Sequence, residues 1–111
     1  EWGFEGYVVS DCGAIADIHL HHHLTESEAE SAALAVRNGC DLNCGYTYPA
    51  LKSAVEEGLI EEEEIDAAVE RLFTARFKLG LFDTADRVPF ASLPYEVNSA
   101  GKHRELARTA A

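Results

Sequence analysis

The sequence predicts an α/β fold in which short parallel strands alternate with helices. Three observations predict it. The apolar run Tyr7-Val8-Val9 is uninterrupted and stops at Ser10-Asp11, with Gly13 just beyond, the pattern of a buried parallel strand. A second short run, Cys40-Asp41-Leu42, follows a helical segment that stops at Gly39. Helical periodicity returns after that run. The order strand, helix, strand, helix, helix calls for right-handed parallel crossovers.

Each element has a local cause. Residues 7–9 form the first strand, their side chains read as core, and Trp2 and Phe4 before them read as packing. Residues 12–24 have no clean period and hold His19, His21, His22 and His23. Thr25-Glu26-Ser27-Glu28 fits a capping box, so Thr25 is expected to open the first helix. Ala29, Ala32, Ala33 and Val36 recur at helical spacing, and Gly39 supplies a left-handed stop. Residues 40–42 form the second strand. Pro49 suits the first turn of the next helix, where Leu51, Ala54 and Val55 share a face until Gly58. The acidic residues 61–64 suit the positive end of a further helix dipole. Ile65, Ala68, Val69, Leu72 and Phe73 form that helix's apolar stripe, and Gly80 ends it. Residues 84–101, with Pro89 and Pro94, read as a linker. His103 opens a last helix with Leu106, Ala107 and Ala110 on one face.

Composition bounds the function. The 111 residues are 47% hydrophobic and 26% charged, ordinary globular usage that argues against disorder despite a net charge of −11. That acidity makes nucleic acid an unsuitable partner, since phosphate binding needs clustered Lys and Arg. No stretch approaches the ~20 apolar residues of a membrane span. No internal repeat is visible, and the only biased runs are residues 21–23 and 61–64.

Asp11 is the first residue to ask about. An acid at the carboxyl end of a parallel strand stands where α/β enzymes place their chemistry. The same residue also suits the capping of a turn, and spacing alone leaves both readings open. Asp41 is a second acid at a strand end; a structural role, accepting backbone N–H bonds, is favoured over lining the same mouth. The histidines admit a zinc reading, but they lack i, i+4 helical spacing with an intervening Glu, so solvated loop residues are preferred. Cys12 and Cys44 each follow a strand end. Adjacent strands lie about 4.8 Å apart, compatible with disulfide Cα separations of about 4.4–6.8 Å. A Cys12–Cys44 bridge is one reading, and it goes with a periplasmic or extracellular location. Three free thiols, as cytosolic redox would favour, is the other. Cys40 would face a different way.

Trp2-Gly3-Phe4-x-Gly6-Tyr7-Val8-Val9-Ser10-Asp11 resembles the nucleophile segment of the family 3 glycoside hydrolases. Cys12-Gly13-Ala14-Ile15, where the family's glucosidases usually place Trp after the Asp, is similar to its β-xylosidase branch. So are Gly39-Cys40-Asp41-Leu42-Asn43-Cys44-Gly45 and the stretch from Ile65 through Arg71-Leu72 to Leu79-Gly80-Leu81-Phe82-Asp83. The resemblance covers nearly the whole chain in order.

It implies a partial (β/α)8 TIM barrel, the last two βα units, followed by an extra helix and an interdomain linker. Residues 1–83 would be the C-terminal part of the catalytic barrel, 84–101 the linker, and 102–111 the start of an α/β sandwich domain. A whole barrel takes roughly 250 residues, so the chain is expected to be a piece of a longer protein. The resemblance also implies a retaining, exo-acting β-glycosidase, most simply a β-xylosidase, with a β-glucosidase as alternative. Asp11 would be the nucleophile and His22 or His23 a partner for sugar hydroxyls. The substrate would be a xylo- or gluco-oligosaccharide, with no cofactor or metal required. The acid/base would lie outside this chain, so the isolated chain is expected to be inactive. With uncovered strand edges it would also self-associate.

Overall fold

The computed structural model describes residues 3–111; Trp2, expected to pack beneath the first strand, lies outside them. The chain separates into two compact units, one running to Lys78 and the other Leu79–Ala111. The first holds α1 (Ala14–Leu20), α2 (Glu28–Arg37), a 3-10 turn (Tyr48–Ala50) that runs into α3 (Leu51–Glu56), and α4 (Glu62–Lys78). The second holds two 3-10 turns, Ala85–Arg87 and Tyr95–Val97, and α5 (Gly101–Ala110).

The two expected strands meet in parallel, but at a single bridge, Val9 to Leu42. Among the described residues neither run extends into a regular strand. The expectation that residues 7–9 are core is corrected: Tyr7, Val8 and Val9 are 38%, 46% and 47% exposed. A parallel strand is buried only when its two edges are paired and its two faces covered, and this run is paired on one edge. Phe4, also expected to pack, is exposed.

Residues 12–24 are more ordered than their pattern predicts. Gly13 takes φ +83°, turning the chain into α1, and Ile15 is buried where α1 packs on α2. Seven residues make only about two turns, too few for periodicity to register in a sequence window.

The start of α2 lies two residues later than the Thr25 box implies. Ser27 is the N-cap, its Oγ accepting the Glu30 N–H at 3.1 Å, while the Glu30 carboxylate accepts the Glu26 N–H at 2.7 Å. The Thr25 hydroxyl instead meets the fully buried Ser31 hydroxyl at 2.6 Å. Ser27-x-x-Glu30 therefore satisfies the helix end by the same reciprocal chemistry.

The ends of α2 and α3 share one geometry. After α2, Gly39 N–H bonds the Val36 carbonyl and Cys40 N–H the Ala35 carbonyl. After α3, Gly58 N–H bonds Val55 and Leu59 N–H bonds Ala54. Both are Schellman caps, which need a left-handed residue at the turn; Gly39 and Gly58 take φ +87° and +71°.

The core lies between α2, α3 and the first half of α4. Ala29, Ala33 and Val36 meet Ala54, Ile60 and Ala68, flanked by Tyr48, Leu51, Val55, Leu59 and Ile65. Alanines let the helix axes approach closely. The stripe predicted on α4 is only partly covered: Val69 and Phe73 are each 42% exposed, with the Arg76 guanidinium 5.6 Å over the Phe73 ring. Length explains this, because α4 is about 25 Å long against about 15 Å for α2 and 9 Å for α3. At the surface Arg37 grips Glu64 with two N–H groups, Nε at 3.0 Å and Nη2 at 3.1 Å. That hydrogen bond lowers the Glu64 pKa and raises the Arg37 pKa.

A Cβ on Gly39 or Gly58 would meet no atom within 4 Å, so substitution there costs backbone strain alone. Gly39→Ala and Gly58→Ala should each destabilise the fold by about 1–2 kcal/mol, read as a lower denaturation midpoint at unchanged m-value.

Candidate active site

The segments 8–13 and 41–48 are sewn together by backbone and side chain alike. Val8 C=O accepts from Asp41 N–H at 2.9 Å and Leu42 N–H at 3.0 Å; Ser10 N–H donates to Leu42 C=O at 2.9 Å, and Gly13 N–H to Cys44 C=O at 2.8 Å. Ser10 adds its hydroxyl, which accepts the Cys44 N–H at 2.9 Å and the Asn43 amide at 3.3 Å. Asn43 Oδ1 in turn accepts from Thr47 N–H at 3.0 Å and Tyr48 N–H at 3.3 Å. One side chain thereby shapes the turn after the second run, the Asx chemistry of loops. Cys12 and Cys44 are joined in a disulfide, with Cα atoms 4.4 Å apart. Cys40 is free and only partly buried, its Sγ 3.6 Å from the Leu42 carbonyl.

Asp11 stands on the first segment, two residues past the bridge at Val9, with an exposed side chain. Its Oδ1 accepts the Cys12 N–H at 2.8 Å, and its carbonyl accepts the Ala14 N–H at 3.2 Å. The carboxylate is thus oriented locally yet open to solvent. An adjoining open cleft of about 520 Å³ is lined by Cys12, Gly13, Ala16, Glu28, Cys44 and Tyr46 among others. Tyr46 is 91% exposed.

Asp41 is placed differently. It is buried, with Oδ2 accepting the Val8 N–H at 2.8 Å and Oδ1 accepting from Arg71 Nε at 2.8 Å and Nη2 at 2.7 Å. It faces the backbone of the first run rather than an open mouth. Tyr48 closes the same region by donating its hydroxyl to the Cys40 carbonyl. Burial, then the hydrogen bond with Cys40, pushes the Tyr48 phenol well above its ordinary value, so it stays a donor across the physiological range.

The histidines scatter. His19 Nδ1 lies 3.0 Å from the Ser31 hydroxyl, on the core side. His21 Nε2 is 3.5 Å from Asp17 at the surface. His23, in the left-handed region at φ 52°, turns its ring to the His19 carbonyl at 3.0 Å. His22 is exposed. Among the described residues no group of three or more His, Cys, Asp or Glu side chains converges as metal ligands would.

Sequence reasoning gave no role to Ser10, Asn43, Ser31 and Arg71, although Ser10, Asn43 and Arg71 stand in the segments that carry the family resemblance. Ser10 had a signal, a hydroxyl immediately before the acid at a strand end. Arg71 had none in spacing, since its partner is thirty positions away on another element.

Comparison with known proteins gives a consistent result. Residues 1–75 match the family model described as glycosyl hydrolase family 3 N terminal domain. The chain is 43% identical over 114 aligned positions to the exo-1,4-beta-xylosidase bxlB of Emericella nidulans, covering 99% of this chain and 15% of that protein. It is 42% identical over 101 positions to the xylan 1,4-beta-xylosidase of Xylanibacter ruminicola, covering 89% of this chain and 12% of that protein. Among solved structures, a β-glucosidase from Erythrobacter marinus superposes with TM-score 0.82 at 40% identity, covering 97% of this chain and 14% of that one. The GH3 exo-beta-xylosidase XlnD, in complex with a xylobiose aziridine activity-based probe, superposes with TM-score 0.88 at 26% identity, covering 98% and 14%. The chain therefore spans about one seventh of the length of these relatives.

The disulfide predicts a distinct chemical behaviour. Proteolysis without reduction should release a Cys12–Cys44 linked peptide, and of the three cysteines here Cys40 alone should react with a thiol reagent. Reduction should lower Tm, because the bridge joins residues 32 positions apart and limits the unfolded chain.

Proposed function

Because the chain belongs to glycosyl hydrolase family 3, we propose that it is part of the catalytic domain of a retaining, exo-acting β-glycosidase that removes terminal β-linked xylose. In this reading the runs around Val9 and Leu42 are the last two strands of a (β/α)8 barrel. Residues 84–101 are the link to a following domain that begins near residue 102. Asp11 is the nucleophile. The observation that carries the assignment is an exposed carboxylate just past the parallel bridge, on backbone anchored by Ser10 and the disulfide.

The chemistry follows from that placement. The Cys12 amide holds Oδ1, and Oδ2 attacks the anomeric carbon as the leaving oxygen takes a proton from an acid/base on another part of the protein. The glycosyl ester on Asp11 is then displaced by water, which the same acid/base deprotonates, with net retention. A nucleophile must be ionised in the ground state, and Asp is the more acidic of the two carboxylic side chains. His22 is the better placed of the two loop histidines for a sugar hydroxyl, because the His23 ring is committed to the His19 carbonyl. No cofactor enters the reaction. The xylosidase relatives favour xylosides; the similarity to a β-glucosidase keeps gluco-oligosaccharides as the second reading. Taken alone, the chain lacks the acid/base, and its exposed Tyr7, Val8 and Val9 favour self-association.

In the parent enzyme Asp11→Ala should fold normally and lose aryl β-xylosidase turnover by on the order of 10⁴-fold, the scale of removing one member of a catalytic set. Azide should restore part of the rate by entering the space left by the carboxylate. The isolated chain should show no turnover. Near-normal activity in Asp11→Ala would reduce Asp11 to a turn cap.

A further inference from the structure

We propose that Arg71 and Asp41 are a positioning pair that sets the reach of the Asp11 carboxylate; the inference rests on Asp11 being the nucleophile. Asp41 is an unusual residue to find here. Its side chain is 2% exposed, yet it carries a carboxylate wedged between helix α4 and the backbone of the run that leads to Asp11. The Arg71 side chain is 43% exposed, so the pair is half-buried, and an ion pair that takes a carboxylate out of water is seldom better for stability than apolar packing of the same volume. What it gives instead is direction, and the contacts show to what.

Val8 is held through both of its backbone polar groups by one residue. Its N–H is bound by the Asp41 carboxylate at 2.8 Å and its C=O by the Asp41 N–H at 2.9 Å. Asp41 can do this only while its carboxylate is fixed. Arg71 fixes it by directing two N–H groups, at 2.8 and 2.7 Å, onto Oδ1 alone, which leaves Oδ2 for Val8. The planar guanidinium supplies that fork; a lysine ammonium is a point charge and cannot. Three extended residues span about 10 Å, the distance from the Val8 anchor to Asp11. A shift of the Val8 anchor is passed along this short segment toward the attacking oxygen, where a displacement of about 1 Å is enough to cost ~10²-fold in rate. Arg71 touches neither Asp11 nor the adjoining cleft and acts through Asp41 and Val8.

The test is a pair of substitutions in the full-length enzyme, assayed with an aryl β-xyloside well below each variant's Tm. Arg71→Gln should lower kcat by about 10–100-fold with KM changed less than about threefold, and Arg71→Lys should fall between it and the wild type. The same Arg71→Gln change is then placed in the Asp11→Ala enzyme rescued by azide. There the nucleophile is a diffusible anion that Val8 does not carry, so the rescued rate should stay within about twofold. A rescued rate that falls as far as kcat does would overturn the proposal, since Arg71 would then act on sugar binding or on the fold at large. A wild-type kcat in Arg71→Gln would overturn it as well. Should Arg71→Gln not fold, Arg71→Lys carries the same two comparisons. Undiminished activity in Asp11→Ala alone would overturn the nucleophile assignment, and this proposal with it, in a measurement that does not involve Arg71.

Discussion

Everything near Asp11 depends on the pairing of two short, half-exposed segments. Only one parallel bridge joins them, at Val9 and Leu42, so the usual ladder of a sheet is nearly missing. Side chains share the joining with four backbone hydrogen bonds. Ser10 takes the Cys44 amide, Asp41 takes the Val8 amide, and the disulfide closes the pair at Cys12 and Cys44. A cross-link between residues 32 positions apart limits the unfolded chain, an effect of about 3–4 kcal/mol in the loop-entropy picture. Buried polar groups are costly unless bonded, and every buried side-chain nitrogen and oxygen among the described residues has a partner.

The helices serve as a frame for this pair. α2 presents Ala29, Ala32, Ala33 and Ala35 with Val36, all buried. Small side chains allow close helix approach, but they bury little apolar area per residue, so polar contacts carry part of the fixation. The fully buried Ser31 illustrates it: its hydroxyl meets Thr25, His19 and the Ser27 carbonyl, tying α2 to the loop before it and to α1. α4 then brings Arg71 to Asp41 from outside the alanine core.

Helices and their stops were the most legible part of the sequence. The alanine period of α2, the acidic start of α4 and the glycines at 39 and 58 each have a local physical cause, and local causes can be read in one dimension. α1 escapes the sequence because two turns hold too little period, and the cap falls at Ser27 rather than Thr25 because Ser27-x-x-Glu30 offers the same chemistry two residues on. Burial at residues 7–9 was misjudged for another reason: an apolar run reports what a strand could bury, whereas exposure depends on elements that pair with it in space. Within the site, the position of Asp11 and the nearness of Cys12 to Cys44 follow from residues at strand ends. The Arg71–Asp41 pair does not, since nothing in a spacing of thirty residues records that a helix will return its sixth polar position to a strand.

Asp11 is bracketed. On its N-terminal side Val8, three residues away, is clamped by Asp41 and through it by α4. On its C-terminal side Cys12 is bonded to Cys44, and Gly13 donates to the Cys44 carbonyl. Between the two clamps only Val9 and Ser10 intervene; Val9 sits at the bridge opposite Leu42, and Ser10 is bonded to both Leu42 and Cys44. The two clamps differ in kind, one ionic with its carboxylate buried, the other covalent, so they fail under different conditions: charge removal for the first and reduction for the second. A carboxylate held this way keeps its backbone fixed while its side chain stays exposed to solvent. That combination suits a group that must reach an incoming molecule without the segment beneath it shifting.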